Sequence, residues 1–176
     1  RWRRLPALPA PIDHGMAAGR GSELYVVGGY GPGAAAQSSA FVLRGGRWRP
    51  LASMPAPRAA AGAAVAGGKL YVVGGVSLGL GNRLAEDALV LDLQTGSWST
   101  VPGPTPREHL AAVSAGGVVY ALAGRLDSLE SNLDLLEVFS PEAQSWTTLA
   151  PVPSRRSGAG AALAKGLIVS VGGEAA

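Results

Sequence analysis

The chain has 176 residues, 47% of them hydrophobic and only 15% charged, which excludes a disordered tail and suits one folded domain. Its formal charge is +3, but 13 of the 15 basic residues are arginines scattered along the sequence, so no nucleic-acid-binding stripe is expected. It has no cysteine, which excludes a disulfide scaffold and any thiolate metal site.

Taken in chain order, residues 1–9 (RWRRLPALP) read as one outer strand, D, of a preceding unit. Residues 10–53, 54–102 and 103–150 read as three full units of four short strands each, A to D. Residues 151–176 supply strands A and B of a fourth. In the second unit strand A is Ala60–Ala66, rich in Ala and Gly. A Gly67-Gly68 turn leads to strand B, Lys69–Val73. Strand C is Ala88–Leu93, and a Gln94-Thr95-Gly96 turn leads to strand D at Trp98. In the first unit that last turn shortens to Arg44-Gly45-Gly46-Arg47, a hairpin signal. The most apolar stretch, Leu110–Gly124, is too short to span a membrane and is broken by Gly116-Gly117, so no transmembrane segment is expected.

Three markers keep this division in register. Trp2, Trp48, Trp98 and Trp146 are spaced by 46, 50 and 48 residues. An apolar run ending in two small residues follows each Trp at a nearly constant interval: LYVVGG at Leu24–Gly29 and Leu70–Gly75, VYALAG at Val119–Gly124, IVSVGG at Ile168–Gly173. Ile12, Arg58, Arg107 and Arg156 each stand 16 residues before the small pair. Length varies mainly between the small pair and the next Trp, as expected of loops on a rigid scaffold. Strand B is apolar on both faces (Leu24 and Val26 on one, Tyr25 and Val27 on the other), which places it in a sheet covered on both sides. Radially stacked blades provide that, with small strand A near the axis and Trp in the wider outer gap. The fold expected is therefore all-β: a β-propeller with about 3.75 four-stranded blades.

These features resemble the kelch-repeat family: the Gly pair after strand B, the strand-B tyrosines Tyr25, Tyr71 and Tyr120, the Trp some 20–24 residues later, and Pro-x-Arg or Pro-Arg before the next strand A. Ala123, Val169 and Ile12 depart from the pattern at single positions. The resemblance implies part of a larger, six-bladed ring whose remaining blades belong to the same polypeptide. It also implies a binding scaffold, without a cofactor, that engages a protein, acidic or sugar ligand through the loops after strand B (30–39, 76–87, 125–134) and the starts of strand A. The superfamily also contains sialic-acid mutarotases and copper-dependent galactose oxidases. The oxidase chemistry requires a cysteine that this chain lacks, whereas a mutarotase-like site would draw on Glu108, His109 and Arg156.

The candidate ligand-binding residues follow from these positions. Arg156-Ser157-Gly158 matches an Arg-Ser-Gly pattern with which an adaptor of ubiquitin ligases grips acidic peptides, and Arg58 and Arg107 match its Arg. Guanidinium forks suit carboxylates; the competing reading is that these arginines brace the blades. Asn82, Arg83, Arg125 and Asn132 are loop groups able to make directional contacts. His14 and His109 hold the same repeat position, each after an acid (Asp13, Glu108). They are read either as acid–base groups at a channel mouth or as packing residues, and their placement on non-adjacent blades argues against one shared ion; only His109 joins the candidate set. No catalytic or metal-binding residue is assigned, and localisation is left open.

Overall fold

A computed structural model describes residues 2, 4–77 and 83–175. It holds fourteen strands: β1 (Met16–Arg20), β2 (Glu23–Val27), β3 (Ala40–Arg44), β4 (Arg47–Pro50), β5 (Gly62–Ala66), β6 (Lys69–Val73), β7 (Asp87–Asp92), β8 (Trp98–Pro102), β9 (Ala111–Ala115), β10 (Val118–Leu122), β11 (Leu136–Ser140), β12 (Ser145–Thr148), β13 (Gly160–Ala164) and β14 (Leu167–Val171). Consecutive strands pair antiparallel into three four-stranded sheets, β1–β4, β5–β8 and β9–β12, and a two-stranded sheet, β13–β14. The architecture is the expected one, a kelch-type arrangement of propeller blades. Only two single 3₁₀ turns, Pro32–Ala34 and Leu129–Ser131, interrupt the all-β pattern among the described residues.

The innermost strand of each blade packs on its counterpart in the next: β1 on β5, β5 on β9, β9 on β13. The approach is close enough to exclude a single carbon. A Cβ added to Gly62 would lie 2.7 Å from the Cβ of Ala112 and 2.9 Å from its backbone nitrogen. Hence the small residues of strand A. One strand further out the gap widens and larger groups fill it. Leu70, Tyr71, Val72 and Val73 of β6 are all buried, as a strand covered on both faces requires. The two main clusters lie between blades: Tyr25, Val42, Leu70, Val72, Leu89 and Leu91 between the first and second, and Tyr71, Val73, Val90, Val119 and Phe139 between the second and third. On β14, which has no further blade beside it in this chain, Leu167 and Val171 are about two-thirds exposed (68% and 69%).

At the rim three of the four tryptophans latch their blades to the one before. Trp48 Nε1 donates to the carbonyl of Pro6 at 3.0 Å, Trp98 to that of Ala52 at 2.8 Å, and Trp146 to that of Pro102 at 2.8 Å. The constant Trp spacing thus reports a repeated inter-blade hydrogen bond.

The details correct two sequence expectations. Strand A of the second blade starts at Gly62 and not at Ala60, because Ala59 pairs with Val76 and Ala60 turns into a left-handed conformation (φ 51°). None of the described residues of the segment 1–9 is in a strand; the Trp48–Pro6 bond ties it to the fold. A Gly62→Ala substitution should lower stability by about 1–3 kcal/mol, since the added methyl meets backbone that cannot yield. Denaturant unfolding of the variant against wild type measures this.

Candidate functional site

The loops that follow strand B and the segments that precede strand A meet at one end of the axis. There the backbone takes the same turn in every blade. His14, Ala60, His109 and Gly158 are equivalent residues, and all have positive φ, between 50° and 64°. Each amide donates to the carbonyl of the residue before it in the series: Ala60 to His14 at 3.2 Å, His109 to Ala60 at 2.7 Å, Gly158 to His109 at 2.8 Å. The left-handed conformation is costly for a non-glycine residue. Here the inter-blade hydrogen bonds hold it in place.

A second series runs beside the first. Gly29, Gly75 and Gly124 donate to the carbonyls of Arg58, Arg107 and Arg156 at 2.7, 2.8 and 2.9 Å. At Gly74 (φ 64°) a Cβ would stand 2.8 Å from the Arg107 carbonyl and 2.7 Å from Leu110. The small pair is therefore where the next blade's backbone lies against this one. Ala123 adopts the same left-handed conformation (φ 58°) with a side chain.

This scaffold opens into a cleft of about 780 Å³ lined by Asp13, His14, Tyr30, Glu108, His109 and Arg125, with Val76, Leu126 and Asp127 at its edge. The two histidines meet there. Their ring centroids are 4.9 Å apart, edge to face, and Tyr30 packs on His14 at 5.5 Å. Placement on non-adjacent blades thus does not keep the two rings out of contact. The blades converge at the axis, and the equivalent residue between the two histidines, Ala60, is small. His14, Asp13 and Tyr30 thus belong to the site beside His109 and Arg125, which the sequence marks as candidate ligand-binding residues, and Glu108, which it offers to a mutarotase-like site. The identical register of the two acid–His pairs, with alanine between them, was the available signal.

Arg125 anchors the charge pattern. Its Nε donates to Glu108 Oε1 at 3.0 Å, its Nη1 to Glu174 Oε2 at 3.1 Å, and its Nη2 lies 3.3 Å from His109 Nε2. A guanidinium can only donate, so this contact is a hydrogen bond in the form of the ring that leaves Nε2 unprotonated. Nδ1 lies 3.2 Å from Glu108 Oε1 but out of line for a hydrogen bond. His14 Nδ1 is 2.9 Å from Asp13 Oδ1. Burial acts to raise the Glu108 carboxyl, but His109 and Arg125 together outweigh it and hold the group below its ordinary value. Burial, assisted by Glu108 and Asp13, pushes the Tyr30 hydroxyl up against the opposing effect of Arg125. Among the described residues no group of three or more His, Cys, Asp or Glu is arranged to hold a metal ion, and no helix is long and apolar enough to cross a membrane.

The other candidate residues lie elsewhere. Arg107 is fully buried: Nε donates to Ala123 O at 2.7 Å, Nη1 to Thr105 O at 2.8 Å and to Glu137, and Nη2 to Ala121 O at 3.1 Å. Arg58 is buried against Asp87. Arg156 bonds Gly172 O and Ser154 Oγ. In all three the guanidinium is spent inside its own blade while the backbone carbonyl ties that blade to the previous one, so none points a free cation into the cleft. Ser157 is buried, its backbone paired with Glu174. Asn132, also buried, donates to Glu174 O at 3.0 Å behind Arg125. Arg83 is exposed beside Glu86 at 3.4 Å, away from the cleft. Asn82 lies outside the described residues.

The KLHDC2/KLHL20/DRC7 Kelch-repeats domain family matches residues 2–173. The chain belongs to this kelch-repeat family. Among individual kelch proteins, Kelch-like protein 34 of Homo sapiens is 31% identical over an alignment of 185 residues that covers 96% of this chain and 29% of that protein. Kelch-like protein 26 of Danio rerio is 39% identical over 74 residues, covering 41% and 12%. The chain therefore spans less than a third of the length of these relatives. Of solved structures, the one titled "Structure of YjhT" superposes with a TM-score of 0.73 at 21% identity, covering 89% of this chain and 57% of that one, which shows a shared fold.

Two kelch-blade predictions follow from the buried charges. Arg107→Ala should cost about 3–5 kcal/mol, because it leaves the Glu137 carboxylate buried without its cation; chemical unfolding measures it. Glu108, held below its ordinary pKa, stabilises the fold fully above the usual carboxylate range and loses that contribution as pH falls through its lowered value. The Tm difference between wild type and Glu108→Gln should accordingly be largest near neutral pH and shrink in acid.

Proposed function

We propose that this chain is a kelch-repeat binding scaffold that receives a segment of a partner protein in the axial cleft. The observation that carries the reading is the division of labour among its side chains. The repeated residues Arg58, Arg107, Arg156 and the three latching tryptophans are spent on the fold. Equivalent positions in successive blades carry different residues, Asp13, Ala59, Glu108 and Ser157 at one and Tyr30, Val76, Arg125 and Glu174 at the next, and of these Asp13, Tyr30, Val76, Glu108 and Arg125 line the cleft. Variable groups on an invariant frame are the usual basis of recognition in repeat and propeller folds. Membership of the kelch family, and similarity to Kelch-like proteins along most of the chain, support a protein partner.

Tyr30 and Leu126 supply aromatic and aliphatic area to the cleft, and Leu126 is 45% exposed. Such groups, once covered by a partner, carry a large share of interface energy, so a Tyr30→Ala/Leu126→Ser double variant should reduce recovery of captured partners about tenfold or more. The measurement is affinity capture from cells with the full-length protein, wild type against variant, with unfolding curves to show equal stability. Equal recovery by both proteins would contradict the assignment of the cleft as the binding surface.

A further inference from the structure

We propose that the cleft selects a cationic side chain, lysine or arginine, presented by the bound segment; the proposal rests on the binding reading above and names the chemistry of the partner. The first ground is the cavity itself. Its walls combine the Tyr30 ring and the edge-to-face histidine pair with the apolar side chains of Ala34, Val76 and Leu126. Such walls suit a long methylene stem ending in a charge that lies over an aromatic face.

The second ground is the charge that remains after internal pairing. Three carboxylates line the cleft, Asp13, Glu108 and Asp127, against one guanidinium, Arg125. That guanidinium is already shared between Glu108 and Glu174, and its third nitrogen is directed at His109. The Asp13 side chain is 79% exposed and has His14 as its near neighbour, and Asp127 is exposed with no cation in bonding range among the described residues. Arg58, Arg107 and Arg156, the groups from which an acidic ligand was expected to draw its partner, are turned into their own blades. An incoming carboxylate would meet uncompensated negative charge, whereas an incoming ammonium or guanidinium would neutralise it. The Tyr30 hydroxyl registers the same field, since Glu108 and Asp13 both help to hold its proton.

The test uses the full-length protein and short degenerate peptide pools that differ only in one fixed central residue: arginine, lysine, glutamate or norleucine, the last matching the lysine stem without its charge. Fluorescence anisotropy should give the arginine and lysine pools about tenfold tighter binding than the norleucine pool. The Asp13→Asn/Asp127→Asn variant, altered only at exposed side chains, should lose the preference for the arginine and lysine pools over the norleucine pool. If the glutamate or norleucine pool binds as tightly as the cationic ones, but Tyr30→Ala/Leu126→Ser still weakens binding, the selection of a cation is overturned and the cleft stands as a binding site. If no pool binds, or if the Tyr30/Leu126 variant leaves every pool unaffected, both readings fall.

Discussion

Near the axis, four inner strands must approach until backbone touches backbone, and this steric limit governs the rest of the molecule. It keeps the strand A positions that touch the neighbouring strand small, as the position of Ala112 against Gly62 shows. It also brings the loops ahead of those strands within hydrogen-bond reach of one another, so that the amides of Ala60, His109 and Gly158 pair with carbonyls of the preceding blade. Those bonds require left-handed backbone at each step. Glycine meets that requirement freely, but two histidines and an alanine meet it here. Strained non-glycine residues persist where surroundings over-determine them, and here the residues so held carry the side chains of the cleft.

Fold and site therefore use different parts of the same residues. Arg107 ties its blade to the previous one through its carbonyl and braces its own blade through its guanidinium. His109 does the first with its backbone but keeps its ring for the cleft. A buried, fully bonded charge such as Arg107 adds little net stability over an apolar substitute, yet its removal is expensive because the partner is left stranded. The rim tryptophans act similarly at lower cost, each combining partial burial with one hydrogen bond to the neighbouring blade.

Much of the fold was legible in the sequence, because period is a property of the chain itself: the Trp, Gly-pair and Arg registers lead to the all-β, four-stranded blades that the described residues form. The role of Arg58, Arg107 and Arg156 was not legible, since spacing fixes where a residue sits but not which way its guanidinium turns. The pairing of His14 with His109 was hidden for another reason. Distance along a repeat array increases with blade number, whereas distance across a ring depends on convergence at the axis and on the size of the residue between. Arg125 and Asn132 were picked out as loop groups, but their convergence on Glu174 spans 49 and 42 residues of sequence and leaves no local pattern.

The central claim is that inter-blade backbone hydrogen bonds at these left-handed positions build the floor of the cleft. Hydrogen exchange of the full-length protein, followed on peptides that include Ala60, His109 and Gly158, tests it directly. The account predicts that these three amides are protected to about the same degree as those of β5 and β9. Exchange as fast as that of the exposed Gly45-Gly46 turn would contradict it.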